Sequence, residues 1–443
     1  MKVSSSIFWN LLVLLMLIPV HKAAAQEVLD IEDAVNMGLK QNHSLQAVRE
    51  ALKGSEYAVK SARGAFGPKF KTSYAYTRLD EAPSSMDPVT RRRIQGSRDV
   101  WTMNFNIEQP LFTGFNILSN FEKARLGSEQ ADSQVSKAEL DLILEIQTSF
   151  LDLLAARESV SVAEDSLTRL KSHLNVSQSF YDVGLAPKLD VLQAQVDVAQ
   201  ARQDLISAKN AVDNLTARLN MLLNLPLEHE VFYQDEFDFP AFTLTLEDCR
   251  ERALKKRPDI FIADKSVQIA LKDEKISASS FYPQIGASFD YYRRGDDPSV
   301  SGSKLQDKSE WQAGVKLEWK LFEWGQTYYA HKQAGQKTRQ LMAEYENLLN
   351  TVLYEVKSNF LNIDESRQRI DVAREGLEEA KESYRMAVAR YEAQVGTNTD
   401  VLDAQARLSG AEANLIHANA DYLKALAAIY KAMGEKNISL GTR

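Results

Sequence analysis

The chain contains one long sequence twice, and this duplication limits the folds that it can adopt. The residues YDVGLAPKLDVLQAQ (Tyr181 to Gln195) return as YEAQVGTNTDVLDAQ (Tyr391 to Gln405), 210 positions later and without a gap. An earlier segment, Leu29 to Asn42, aligns with Leu244 to Arg257 at an offset of 215. The repeat is about 200 residues long, whereas solenoid repeats have roughly 20 to 50 residues. We therefore expect two copies of one large unit.

The order of the segments predicts a simple division of the chain. Its N-terminus has Lys2, an apolar run from Ile7 to Val20 and three alanines before Gln26, which is the pattern of a secretory signal peptide. An acidic and aromatic segment broken by Pro240 separates the two copies. We expect a signal peptide at residues 1–25, a first repeat at 26–227, a linker at 228–242, a second repeat at 243–434 and a C-terminal tail at 435–443.

Composition and charge argue against several classes of protein. The densest apolar stretch, Leu11 to Val20, is shorter than the roughly 20 residues that a membrane-spanning helix needs. The formal net charge of −8 argues against a basic surface that binds nucleic acid. Cys249 is the only cysteine, so we expect it in the core rather than in an intramolecular disulfide. The histidines lack metal-ligand spacing, and we expect no metal, no cofactor and no enzymatic activity.

Each copy contains a segment in which apolar and polar residues alternate. The apolar positions are Trp101, Met103, Phe105 and Ile107 in the first copy and Trp311, Ala313, Val315, Leu317 and Trp319 in the second. Strands of this kind, with one aromatic face and one polar face, are typical of transmembrane β-barrels. A soluble antiparallel sheet with one face in the core and one face exposed to solvent shows the same alternation. Tryptophans at the strand ends favour the membrane.

A heptad pattern follows the second strand of each copy. Its positions are Ile146, Leu153, Val160, Leu167, Leu174 and Tyr181 in the first copy, and Met342, Leu349, Val356, Ile363, Ile370, Leu377, Tyr384 and Tyr391 in the second. An unbroken spacing of seven predicts long helices that supercoil around each other. At about 1.5 Å per residue, such helices would be on the order of 100 Å long. Both a structural coiled coil and a conduit fit this pattern.

The predicted strands are too few to close a barrel within one chain. Two hairpins provide four strands, whereas the smallest spanning barrels have about eight. Open strand edges are not tolerated in lipid, so strands in a membrane would have to form one barrel from several chains. The predicted fold is mainly α with a small β part: a long α-helical coiled-coil tube continued by a transmembrane β-barrel shared between chains.

The order of these segments resembles that of the TolC-like outer membrane efflux proteins. The shared features are the signal peptide, a Phe-x-Pro entry into each hairpin, QPLFTGF (Gln109 to Phe115), the heptad helix and the DVLxAQ turn segment, most of them present twice. The resemblance covers the mature chain. It implies a homotrimer in outer-membrane lipid with a periplasmic helical tunnel. It also implies a periplasmic adaptor and an inner-membrane transporter as partners, and a function as the passive exit duct of a tripartite efflux or type I secretion system.

Two helix reversals in the repeated segment are the candidate functional sites. We expect Gly184 and Gly396 to supply the free backbone dihedrals of these turns, and Asp190 and Asp400 to be N-caps. The resemblance implies that Asp400 and Asp403 form a periplasmic gate, and repeated aspartates near a narrow end, Asp190 among them, would favour cations. It further implies that adaptor hairpins dock at Val183, Gly184, Leu185, Val395, Gly396 and Thr397.

The second copy departs from the first at two points. Gln394 replaces Gly184, so we expect the second reversal to turn differently. The segment EWKLFEWG lacks the proline found at Pro110, so we expect a less sharp junction between strand and helix.

One other class of protein remains open at this stage. A periplasmic coiled-coil adaptor or scaffold without a pore would contain similar long helices, but it would have no use for two aromatic hairpins. A general porin would have many more strands per chain.

Overall fold

The computed structural model describes residues 28–229, 231–234, 239–305, 307–438 and 440. The predicted signal peptide at 1–25 lies outside these residues, and so does part of the predicted linker. The helices are α1 (Ile31–Gln41), α2 (His43–Gly64), α3 (Asn116–Asp182), α4 (Lys188–Leu222), α5 (Leu246–Lys256), α6 (Pro258–Ala278), α7 (Gln326–Glu392) and α8 (Asn398–Ala432). The strands are β1 (Val28–Leu29), β2 (Lys69–Arg78), β3 (Ser84–Met86), β4 (Arg93–Gln95), β5 (Asp99–Phe112), β6 (Phe232–Tyr233), β7 (Gln284–Gly295) and β8 (Ser309–Glu318).

The two copies form matching elements, which confirms the predicted internal duplication. Helices α3 and α7 both have 67 residues, and α4 and α8 both have 35. Within each pair, the first residues lie 210 positions apart in the sequence. Neither α3 nor α7 contains a proline, which would remove a backbone donor and clash with the preceding turn, so both run unbroken. No helix in the described part of the chain is both long enough and apolar enough to span a membrane.

The chain divides into two compact units, and each unit draws on both copies. Of the described residues, those within 28–43, 140–249 and 356–440 form the helical unit, and those within 44–139 and 250–355 form the sheet unit. Helices α3 and α7 contribute residues to both units. Each compact unit is therefore built from parts of both copies, and the boundaries of the units do not coincide with the boundaries of the repeats.

The sheet unit contains one antiparallel sheet of four strands in the order β2-β5-β7-β8. The two hairpins β2–β5 and β7–β8 are the predicted ones, and they join through β5 and β7, in which Phe105 pairs with Tyr291. Every residue of β2 and of β8 is exposed, whereas β5 and β7 are partly covered. Within the described residues, no further strand pairs with the outer edge of β2 or of β8.

The sheet has two chemically distinct faces, as the alternation in the sequence predicts. On one face, exposed aromatic side chains pack across strands: the rings of Phe289 and Trp311 stack with their centroids 6.2 Å apart. On the other face, Lys71 Nζ lies 2.8 Å from Glu108 Oε2, and Asn106 donates to Asp290 over 2.8 Å. Cross-strand pairs of these types stabilise a sheet and fix its register.

The strand-to-helix junctions contradict one prediction. Gly114 and Phe115 have φ angles of +60° and +68°, and the equivalent Trp324 and Gly325 have φ angles of +51° and +82°. Both junctions therefore turn through two consecutive left-handed residues, one of which is a glycine in each copy. Pro110 lies inside β5 and does not make the turn. The expectation of a less sharp second junction was therefore wrong.

The core of the helical unit lies along the predicted heptad stripe. Its buried members include Ile146, Leu153, Leu167, Val356, Ile363, Ile370 and Tyr391. Cys249 is also buried, as predicted. Charged pairs connect α3 to α8 beside this core: Lys431 Nζ lies 2.7 Å from Asp141 Oδ1, and Lys424 pairs with Asp152. The first copy's long helix is thus held against the second copy's return helix.

Candidate functional site

Two short loops in the helical unit reverse the chain between long helices. The first tip, residues 183–187, joins α3 to α4, and the second tip, residues 393–397, joins α7 to α8. At the first tip, Gly184 N donates to Tyr181 O over 2.9 Å and Leu185 N donates to Phe180 O over 2.8 Å. This pair of bonds is the Schellman arrangement, which satisfies the last carbonyls of a helix through a left-handed residue. Gly184 has a φ of +79° and takes that position.

The second tip makes the same turn with a different residue. Gln394 N donates to Tyr391 O and Val395 N donates to Arg390 O, both over 2.9 Å. Gln394 has a φ of +60°, a conformation that costs a non-glycine residue about 1–2 kcal/mol. The expectation of a different second turn was therefore wrong, because the helix-end hydrogen bonds impose the same geometry on glutamine.

Gly396 has another role than the one predicted. Its φ lies outside the left-handed region, so it does not supply the dihedral freedom of the turn. A Cβ at this position would lie 3.0 Å from Arg390 Cβ and 3.2 Å from Tyr391 N. Gly396 is needed because the chain passes close to the end of α7, which leaves little space for a side chain.

The predicted N-cap positions were wrong by three residues at both tips. Thr397 is the N-cap of α8, and Asp400 is the third residue of that helix. Asp400 Oδ2 accepts from Thr397 N over 2.9 Å, and Thr397 Oγ1 accepts from Asp400 N over 3.2 Å. This capping box satisfies two backbone donors. The hydrogen bonds from Thr397 hold the pKa of Asp400 below its usual value, so the exposed carboxylate stays charged.

The first tip has no equivalent capping box. Pro187 is the N-cap of α4, and a proline has neither a backbone N–H nor a side-chain oxygen to exchange with a carboxylate. Asp190 occupies the third helical position, where its backbone N donates to Pro187 O over 3.1 Å. The carboxylate of Asp190 is therefore not used in capping, unlike that of Asp400.

A buried polar cluster lies beneath the two tips and connects them. We call it the tip junction and define it as His173 and Ser177 of α3, Gln193 of α4, Tyr391 of α7 and Asn398 of α8. His173 Nε2 lies 2.7 Å from Asn398 Oδ1, and Asn398 Nδ2 donates to Gln193 Oε1 over 2.9 Å. The hydroxyl of Tyr391 donates to Ser177 Oγ over 3.2 Å. Side chains from all four helices therefore meet at this point.

A second polar layer lies along the same helices, next to the tip junction. The guanidinium of Arg169 makes a bidentate pair with Glu412, over 3.1 and 2.8 Å, and its Nε donates to Gln405 Oε1 over 3.0 Å. Such a pair is stronger and more directional than a single neutral hydrogen bond. It fixes the register of α3 against α8.

Sequence reasoning missed the tip junction. His173 was one of several scattered histidines, and Asn398 was only part of a turn. The one signal in the sequence is that His173 precedes Leu174 of the heptad stripe, which places it at the edge of the predicted core. Its partner lies 225 residues away, a separation that no local pattern spans.

The residues predicted to dock an adaptor lie at the surface of the tips. Val183, Leu185 and Val395 are 69%, 58% and 67% exposed. A Cβ at Gly184 would meet nothing within 4 Å, so this position is also open. Asp400 and Asp403 are exposed on α8. In the described part of the chain, no group of His, Cys, Asp and Glu residues has the arrangement of a metal site.

Comparison with known proteins identifies the family. The pattern of the outer membrane efflux protein family matches residues 34–225 and 249–435. The chain belongs to this family. The matched residues include both copies, both hairpins and both tips. This efflux protein is therefore a protein of the outer membrane.

Individual relatives agree with this assignment. Outer membrane protein TolC of Vibrio cholerae is 22% identical over 341 residues, which are 76% of this chain and 75% of that protein. The CmeC outer membrane channel of Campylobacter jejuni has a TM-score of 0.81 at 18% identity, covering 91% of this chain and 85% of that chain. The outer membrane protein VceC of Vibrio cholerae has a TM-score of 0.78 at 16% identity, covering 91% and 96%. These structures share the fold of the efflux protein described here.

The left-handed residue at each tip gives a matched pair of variants. Gln394→Gly relieves the steric cost of φ near +60° but adds backbone entropy to the unfolded chain, so we expect a net stabilisation of about 0.5–1 kcal/mol. Gly184→Ala introduces the same steric cost at the first tip, and we expect a destabilisation of about 1 kcal/mol. Thermal unfolding of the detergent-solubilised protein measures both. A loss of stability in Gln394→Gly would contradict the assigned turn geometry.

Proposed function

We propose that this chain is the outer-membrane channel of a tripartite efflux or type I secretion system, and that three copies complete its barrel. The observation that carries the proposal is the pair of open sheet edges in an outer-membrane protein. Strands β2 and β8 are the outer strands of the sheet, and all of their residues are exposed. In lipid, unpaired backbone N–H and C=O groups cost several kcal/mol each, so the edges need partners. Three chains of four strands give twelve, enough for a water-filled lumen.

The two faces of the sheet support the same arrangement. The exposed aromatic face, with Phe70, Phe289 and Trp311, has the chemistry of a surface in contact with outer-membrane lipid. The face with Lys71, Glu108 and Asp290 has the chemistry of a water-filled interior. We propose that the repeats at 26–227 and 243–434, with the linker at 228–242 and the tail at 435–443, are the units from which this channel is built.

We propose that the aspartates near the tips form the periplasmic gate. Asp400 and Asp403 are exposed, and Asp400 stays ionised because the capping box holds it in its charged form. Repetition in a homotrimer would make a ring of negative charge, which attracts cations and opposes the close approach of anions. Asp190 contributes a third carboxylate from the first tip, where it is not used in capping.

We propose that the exposed tips dock a periplasmic adaptor, which connects the channel to an inner-membrane transporter. Val183, Leu185 and Val395 present apolar side chains on turns that helix-end hydrogen bonds hold in one conformation. Rigid turns with exposed apolar groups lose little entropy on binding a partner. The remaining predicted docking residues, Gly184, Gly396 and Thr397, shape these turns. The transporter supplies substrate and energy, and the channel itself catalyses no reaction.

Cross-linking across the sheet edges tests the shared barrel. In a Cys249→Ser background, one cysteine on β2 and one on β8 should form disulfides between chains, because these edges would pair in the assembled barrel. Oligomers linked in this way should appear in the outer-membrane fraction. Matched cysteine pairs on the inner strands β5 and β7 should link only within a chain. A soluble monomer, as expected of a scaffold without a pore, would rule out the proposal.

Conductance in planar bilayers tests the gate. Asp400→Asn with Asp403→Asn removes the charges while keeping side chains that can hydrogen-bond at the helix start. We expect higher conductance or weaker block by divalent cations, since the ring of negative charge is lost. Glu375→Ala with Glu379→Ala, which removes two exposed charges from α7, serves as the control. If the aspartate variant conducts and is blocked like the wild type, the gate lies elsewhere.

Export by cells tests the docking tips. Gly184→Trp places a bulky side chain in open space at the first tip, at the same left-handed steric cost as Gly184→Ala, which serves as the control for that cost. Trimers of both variants should assemble, while export should fall only for Gly184→Trp. Val196→Trp, at an exposed position along α4, is the control. Normal export by the Gly184 variant would exclude a docking role for this tip.

A further inference from the structure

The tip junction connects the two copies next to the residues proposed as the gate. His173 is 6% exposed and Asn398 is 3% exposed, although both are polar. Asn398 is the first residue of α8 and precedes Asp400 by two positions. Any movement of Asn398 therefore moves the first turn of α8, which carries the capping box and Asp400.

The hydrogen bonds around Asn398 determine which atom of His173 carries a proton. Asn398 Nδ2 donates to Gln193 Oε1, so Asn398 Oδ1 is left as the acceptor. His173 Nε2, 2.7 Å from this oxygen, is then the donor. In the neutral ring, Nδ1 carries no proton. Acid would add a proton at Nδ1 and place a positive charge on a nearly buried ring.

Burial lowers the pKa of His173 below its usual value. The hydrogen bond to Asn398 and the carboxylates of Asp190 and Asp197, both on α4, act in the opposite direction but do not overcome the burial. Asp197 is itself affected by its surroundings, because burial raises the pKa of its carboxyl.

Among the described residues, the groups that contact His173 from α7 and α8 are uncharged. From α7, the ring of Tyr391 packs 5.0 Å away between centroids, and burial raises the pKa of its hydroxyl, which keeps it neutral. Arg169, one turn away on α3, is paired with Glu412 of α8. The contact from α8 is the uncharged amide of Asn398.

We infer that His173 is a positioning residue for the proposed gate: in its neutral form it holds the start of α8 through Asn398, and protonation at Nδ1 releases that turn because the charged ring is drawn from its nearly buried position toward water. The inference rests on the proposed function, because it concerns the opening of the same channel. A histidine with a depressed pKa stabilises the packed state at pH values above its ordinary pKa of about 6.5. That stabilisation is lost as the pH falls below this value, so mild acid should favour opening.

Bilayer recordings at pH 7.5 and 5.5 test the inference with two substitutions of one residue. Wild-type open probability should rise several-fold between the two pH values. His173→Gln keeps a neutral N–H donor, so this variant should stay closed at both. His173→Leu removes the donor, so it should open more often at both. His417→Gln, at an exposed histidine of α8, should respond to pH as the wild type does. Wild-type pH dependence in His173→Gln would overturn the inference.

Hydrogen exchange provides a readout that does not depend on channel function. After correction for the intrinsic pH dependence of exchange, amides at 398–405 should exchange several-fold faster at pH 5.5 than at pH 7.5 in the wild type. They should not do so in His173→Gln. If exchange changes in this way while conductance does not, the junction responds to pH as inferred and the gate assignment fails. If the corrected exchange rates at 398–405 change neither with pH in the wild type nor on substitution His173→Leu, the inference itself fails.

Discussion

The backbone groups at the two edges of the four-stranded sheet determine what this chain can be. A sheet of four strands leaves the outer N–H and C=O groups of β2 and β8 without strand partners among the described residues. In an outer-membrane protein these groups must be paired, because the hydrocarbon region offers no water to replace a missing partner. The duplication supplies the two long hairpins that form this sheet, one from each copy, so on our proposal the assembly, rather than the monomer, closes the sheet.

In the helical unit, several kinds of contact hold the two long helical hairpins, α3–α4 and α7–α8, against each other. The heptad stripe buries apolar side chains, and charged pairs such as Arg169 with Glu412 set the register between copies. At the tips, helix-end hydrogen bonds fix both turns in one geometry. The tip junction then adds polar contacts whose loss would leave buried groups unpaired, at about 1–3 kcal/mol each. Polar pairs of this kind specify one arrangement more strictly than apolar packing does.

Much of the fold could be predicted from the sequence because its signals are local and repeated. The seven-residue spacing predicted α3 and α7, and the alternation around Trp101 and Trp311 predicted the hairpins. Predictions about single residues at chain reversals were less reliable. Asp190 and Asp400 are third helical residues rather than N-caps, and Gln394 adopts the conformation expected of glycine. At these places, packing at the end of a helix outweighs the intrinsic preference of the residue.

The sequence by itself determined the duplication, the periods of its helices and strands, and the family. The tertiary structure alone decided which strands are edges, which residue at each tip is left-handed, and that His173 meets Asn398 from the other copy. The reason is physical: periodicity records which face of an element is buried, and neighbouring residues are enough to set it. Contacts between side chains 225 residues apart depend on how the two copies pack, and no local pattern in the chain carries that information.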